Sequence, residues 1–194
     1  MFELEKFWIS EAADHQAALE KTFATLKNEF EQTLNTCIQS IESGGKILFF
    51  GNGGSAADAQ HLATELTVRY INNRAPIPAI ALTTDTSALT AIGNDYGFDH
   101  LFSRQVEALG DPGDVAIAIS TSGNSENILR GLKMAREKGL KTIGLSGRDG
   151  GKMPGLCDTL IIIPSDTTAR IQEMHIILGH MLCGALEKKL KLVE

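Results

Sequence analysis

The chain has 194 residues, 43% of them hydrophobic and 22% charged, with a formal net charge of −6 at pH 7. That length supports one substantial core, and the acidic balance argues against a nucleic-acid partner, which needs a basic surface to displace counterions. The three cysteines, Cys37, Cys157 and Cys183, contain no C-x-x-C pair, so neither a disulfide framework nor a thiolate zinc site is indicated and a cytoplasmic setting fits.

The first 43 residues lack Gly and Pro, and Leu4, Phe7, Trp8, Leu19, Phe23, Leu26, Phe30, Leu34, Ile38 and Ile41 recur mostly at threes and fours. This is helical periodicity. The segment is long for one helix, so two helices joined near 22–28 and one bent helix both fit; Gly44 and Gly45 end it. Its start is amphipathic and acidic, and no stretch approaches the roughly 18 apolar residues of a membrane span. The chain therefore reads as soluble and unprocessed, with no membrane partner.

Beyond Gly45 short apolar runs alternate with helical stretches: KILFF at 46–50, PAIAL at 78–82, VAIAI at 115–119, KTIGL at 141–145 and TLIII at 159–163. Runs without polar alternation suit strands buried on both faces. The reading is an α/β fold: a doubly wound, five-stranded parallel sheet in a three-layer, flavodoxin-like or Rossmann-like sandwich, with the N-terminal helical segment (1–43) added, all one domain over 1–194. Linking helices are expected at about 55–70, 99–109 and 125–138, with a last one at about 167–190.

Ligands of open α/β sheets sit beyond the carboxyl ends of the strands, which singles out GNGGS at 51–55, STSGNSEN at 120–127 and SGRDGGK at 146–152. Gly51, Gly53 and Ala56 spell the G-x-G-x-x-A of a dinucleotide loop, but the region about 20 residues on that should supply a ribose-binding acid reads RYINNRAP. What remains is a phosphate-binding helix start, with a tight turn without ligand as the bland alternative. In the second loop Ser120, Thr121, Ser122 and Ser125 offer hydroxyls at a helix start, which suits phosphate; Ser125 also suits a plain N-cap.

His61 and Glu65, four apart on one helix, project from one face. That geometry serves two ligands of one metal or an acid/base pair, while a polar row continued by Arg69 is the ordinary alternative. The last helix, largely apolar, carries Gln172, Glu173, His175 and His180; buried polar groups need partners, so several on one helix suggest a site. Gln172 and His180 lie about 12 Å apart along the axis, so they share an ion only by leaning together or across two subunits. His175 reads as structural, and His15 and His100 as solvent or packing residues.

GNGGSAADAQHLATEL, AIGNDYGF, ISTSGNSENI, GRDGGKM and ARIQEMH together resemble the sugar isomerase (SIS) domain family, and within it the phosphoheptose isomerases, over nearly the whole chain. The resemblance implies conversion of sedoheptulose 7-phosphate to D-glycero-D-manno-heptose 7-phosphate, the first step toward activated heptose for surface polysaccharide. It implies one zinc per subunit on His61, Glu65, Gln172 and His180, with Glu65 and His180 as the acid/base pair. It places substrate contacts on Asn52, Gly53, Gly54, Ser55, Glu65, Asn94, Asp95, Ser120, Thr121, Ser122, Ser125 and Gln172. A homotetramer with sites at subunit interfaces is implied as well. Some members carry Asp where this chain has Ala169, so an auxiliary role at that position does not carry over. The alternative from another class is a non-enzymatic SIS module that binds the bacterial replication initiator protein; such relatives lack the acid/base pair that this chain retains. Other phosphosugar isomerases of the fold share the loops but not the His61 and Glu65 arrangement.

Overall fold

The computed structural model describes residues 1–193, so Glu194, the last residue of the expected domain, lies outside the described residues. The N-terminal segment is two helices, α1 (Leu4–Thr25) and α2 (Lys27–Glu42), breaking at Leu26. In α2 the buried residues Thr33, Leu34, Cys37 and Ser40 follow the helical repeat, whereas α1 buries only Ala18 and Thr22. Gly44, at φ 84°, turns the chain out of α2 in a conformation that glycine adopts without a Cβ penalty.

The five apolar runs form one parallel sheet: β1 (Ile47–Gly51), β2 (Ala79–Ala81), β3 (Val115–Ile119), β4 (Lys141–Gly147) and β5 (Thr159–Ile163), in the order β2-β1-β3-β4-β5. Strand side chains alternate between two cores. Ile47, Phe49, Ile117, Ile119, Ile143 and Ile161 face α2, α3 (Gly54–Thr67) and α7 (Thr168–Lys189). Leu48, Phe50, Ala116 and Ala118 face α5 (Leu101–Leu109) and α6 (Glu126–Glu137). Full burial of a Leu, Ile or Phe side chain contributes about 1.5–3 kcal/mol, so both faces of the sheet must be covered, and the doubly wound, three-layer sandwich follows.

Two elements depart from expectation. Helix α4 (Thr86–Asp95) lies outside the expected elements; none of its residues is fully buried, its apolar face is short, with Leu89 and Ile92 packed against the second core, and Asp85 caps it, its carboxylate accepting the Ala88 N–H. Helix α3 was expected to run to residue 70 but ends at Thr67. The reason is tertiary: the Arg74 guanidinium donates to the carbonyls of Glu65 and Leu66 at 2.8 and 2.7 Å, taking acceptors that further helix would use. Arg69 consequently lies beyond the helix, exposed, and does not extend the row of His61 and Glu65.

Candidate active site

The strand order reverses between β1 and β3, the point where an open sheet leaves a crevice. The loops that follow those two strands meet there. Gly51 makes the tight turn, since a Cβ on it would lie 2.7 Å from Ser55 Cβ and from the Ser55 carbonyl oxygen, and Gly53, at φ 56°, is the N-cap of α3. Asn52, Ser55, Ser120, Thr121, Ser122, Ser125 and Gln172 line a cavity of about 70 Å³. Ser125 occupies the N-cap position of α6, but its side chain makes no capping hydrogen bond, which leaves the hydroxyl free for a ligand. Gly54 lets α7 approach, because a Cβ there would lie 2.6 Å from Gln172 Nε2.

Two features of this cradle escape a sequence reading. Asn52 and Asn127 exchange reciprocal amide hydrogen bonds of 2.9 Å each, pinning the first loop to the second; Asn127 is buried. The third loop, SGRDGGK, is absent from the cavity lining and instead buttresses the second. A Cβ on Gly123 would come within 2.0 Å of the Gly150 carbonyl oxygen, and Lys152 N–H donates to the Gly123 carbonyl at 2.9 Å.

Helices α3 and α7 run side by side in the same direction, as the pairings Gly54 with Gln172, Leu62 with Gly179 and His61 with His180 require. His61 Nε2 and His180 Nε2 face each other at 2.8 Å, one ring carrying the proton and the other accepting it, and Glu65 Oε1 lies 3.5 Å from His61 Nε2. Donor atoms of His61, Glu65 and His180 all lie within 4.8 Å of one another. Two imidazole nitrogens and a carboxylate oxygen make a donor set that suits zinc, so these residues fit the implied metal. Gln172 sits about 12 Å back along α7, lining the cradle. Asp58, one turn before His61, has a buried Oδ2 without a protein partner, and burial pushes its carboxyl up to about 6, opposed in part by His61.

The remaining candidates separate. Asn94 and Asp95 end α4, exposed and hydrogen-bonded to each other at 2.7 Å, and do not line the cradle. His175 is fully buried with Nε2 3.0 Å from the Ser146 carbonyl oxygen, the structural role expected of it. His15 pairs with Glu173 Oε2 at 2.8 Å, and His100 meets Arg130 at 2.9 Å.

The SIS domain family model matches residues 12–147. The phosphoheptose isomerase of Paramagnetospirillum magneticum is 57% identical over 181 residues, covering 93% of this chain and 94% of that protein. The chain belongs to the phosphoheptose isomerase family of SIS-domain proteins. Two solved phosphoheptose isomerases superpose over nearly the whole chain: that of Neisseria gonorrhoeae with a TM-score of 0.91, 46% identity and coverage of 96% of this chain and 100% of that one, and that of Francisella tularensis with 0.93, 38%, 97% and 100%. The fold alone is shared more widely, for Vibrio vulnificus NanR complexed with ManNAc-6P matches at a TM-score of 0.71 and 14% identity. The sheet by itself therefore assigns no activity.

Proposed function

We propose that this phosphoheptose isomerase converts sedoheptulose 7-phosphate to D-glycero-D-manno-heptose 7-phosphate through an enediol. The observation that carries the reading is the approach of His61, Glu65 and His180 to within 4.8 Å of one another, two turns along α3 and α7 from the serine cradle. From Gly54 to His61 and from Gln172 to His180 the offset is seven to eight residues, about 10–12 Å along parallel helices. An extended seven-carbon chain ending in phosphate reaches roughly 10 Å at about 1.5 Å per C–C bond, so a phosphate among Ser55, Ser120, Thr121, Ser122 and Ser125 sets the C1–C2 end beside Glu65 and His180. Backbone N–H groups at Gly53 and Gly54 add donors at the start of α3, with Asn52 and Gln172 lining the path. Asn94 and Asp95 fit a contact supplied when subunits meet.

Glu65 takes a proton from C1 and returns it to C2; His180 gives a proton to O2 and takes one from O1. The net change moves one hydrogen on carbon and one on oxygen, with no other reactant consumed. A bound phosphate end holds the reacting carbons in place against this pair. Zinc, one per subunit, would be held by His61, Glu65 and His180 and would polarise the sugar carbonyl; for Gln172 to complete the set its side chain must leave the cradle and lean along α7 toward His180. A carboxylate that also holds a cation is a weaker base, so the two roles given to Glu65 would oppose each other.

Assembly as a cytoplasmic homotetramer is proposed with it. Phe2, Leu4, Trp8 and Ile9 stand 61–74% exposed on or before α1, large apolar side chains of the kind that subunit contacts cover. No helix among the described residues is long and apolar enough to cross a membrane. The alternative of a non-enzymatic module finds no support among the relatives at 38–57% identity reported above, each a phosphoheptose isomerase by name.

A coupled assay on sedoheptulose 7-phosphate tests the reading. Glu65→Gln and His180→Gln should each lower turnover on the order of 100-fold or more, and chelation followed by zinc should remove and restore it. Folded variants that turn over at the wild-type rate would sink the assignment.

A further inference from the structure

The segment RYINNRAP matters for what it holds rather than for the acid it lacks. The Tyr70 ring stacks on the His180 imidazole, with centroids 5.6 Å apart and planes at 26°; His61 meets the same imidazole edge-on at 5.0 Å and 72°. The outer torsion of a histidine is broad, so a hydrogen bond at Nε2 leaves the ring free to rock about it, and an aromatic face removes that freedom. Gly184, one turn after His180, leaves room for the tyrosine: a Cβ there would come within 3.2 Å of Tyr70 Cε1.

Tyr70 is itself fixed from beneath. Its backbone N–H donates to Glu187 Oε1 at 3.1 Å, and the same oxygen accepts Arg74 Nε at 2.9 Å. The two side chains are 0% and 2% exposed. Arg74 spends its other nitrogens on the carbonyls of Glu65, Leu66 and Ala75. A buried ion pair is weak evidence for stability, because desolvation offsets its attraction, and its best-attested use is to set register. Here the bonds run to the backbone of Glu65 and of Tyr70, on one side of the site and the other.

We infer that Tyr70 is a positioning residue for His180, its ring locking the imidazole plane and the buried Arg74–Glu187 pair locking Tyr70. This rests on the reading of His180 as the group that serves the sugar oxygens. Because the role lies with the ring face, Tyr70→Phe should keep kcat within about twofold of wild type, whereas Tyr70→Leu should lower kcat about tenfold with KM within about twofold, the pattern of lost alignment rather than lost binding. Melting temperature is read alongside. His180→Gln, in the same assay, separates the two readings: full turnover there overturns the role of His180 and the inference with it. Loss in His180→Gln with wild-type kcat in Tyr70→Leu overturns the inference alone, as does an equal loss in Tyr70→Phe and Tyr70→Leu. Should Tyr70→Leu fail to fold, the wild-type protein decides by NMR, where nuclear Overhauser contacts between the Tyr70 ring and the His180 ring protons are expected and their absence overturns the stack.

Discussion

Gly179→Ala probes how tightly the α3–α7 contact governs the site. A Cβ at Gly179 would lie 2.6 Å from both Leu62 Cδ1 and Cδ2 and 3.2 Å from Cγ. Carbon atoms pack at about 3.5–4 Å, and Leu62 is 1% exposed and has nowhere to swing, so the helices must part by about 1 Å. Overpacking of this kind costs about 1–3 kcal/mol, while alanine gains about 1 kcal/mol over glycine inside a helix, leaving a net loss of about 0–2 kcal/mol. Function should suffer more. Leu62 and Gly179 adjoin His61 and His180, whose Nε2 atoms are 2.8 Å apart, and a displacement of about 1 Å at reacting groups costs on the order of 100-fold. Chemical denaturation and the coupled isomerase assay are to be run on the same preparation, with Leu62→Ala added to the Gly179→Ala background, where it should recover turnover by relieving the overlap despite the cavity it leaves. A Gly179→Ala protein that is about 1 kcal/mol more stable and turns over normally would refute the reasoning, since it would mean that Leu62 yields and helix spacing does not set the histidine pair.

Stability should fall on acidification because burial pushes the His175 imidazole down to about 4. The unfolded chain binds that proton near pH 6.5 and the folded one does not, so stability is full above pH 6.5 and declines toward pH 4, with this residue contributing a loss of about 2.5 kcal/mol at pH 4.5. Urea titrations at pH 7.5 and 4.5 on wild type and His175→Gln measure it, and an equal decline in both assigns the loss elsewhere. In the cradle, Asn52→Ala and Asn127→Ala should each cost about 1–3 kcal/mol and weaken competitive inhibition by inorganic phosphate. Their combination should fall short of the sum by about 1 kcal/mol, and strict additivity would show that the amide pair couples nothing.

Much of this protein was legible in its sequence because the deciding signals are local. Runs such as VAIAI and TLIII carry no polar alternation, which only a strand covered on both faces permits, and the glycine and serine loops stand where strands end. His61 and Glu65 share a face by helical geometry alone, so their pairing needed no fold. Short elements are harder to read: α4 packs little more than Leu89 and Ile92 on the core and has no fully buried residue, so its periodic face spans barely one turn.

Tertiary structure decided everything that depends on two segments meeting. The sequence places His180 on an apolar helix but says nothing of which helix lies beside it; the small residues Gly54 and Gly179 on facing elements let α3 and α7 close, and that closure brings His180 to His61. The reciprocal bonds of Asn52 and Asn127 span 75 positions, and the contact of Arg74 with Glu187 spans 113. Neither has any periodic trace, because a hydrogen bond across such a separation is set by packing and not by local propensity. The loop GRDGGK reads as a third ligand loop from composition alone; only the close approach of Gly123 to Gly150 shows that its glycines serve backbone-to-backbone packing.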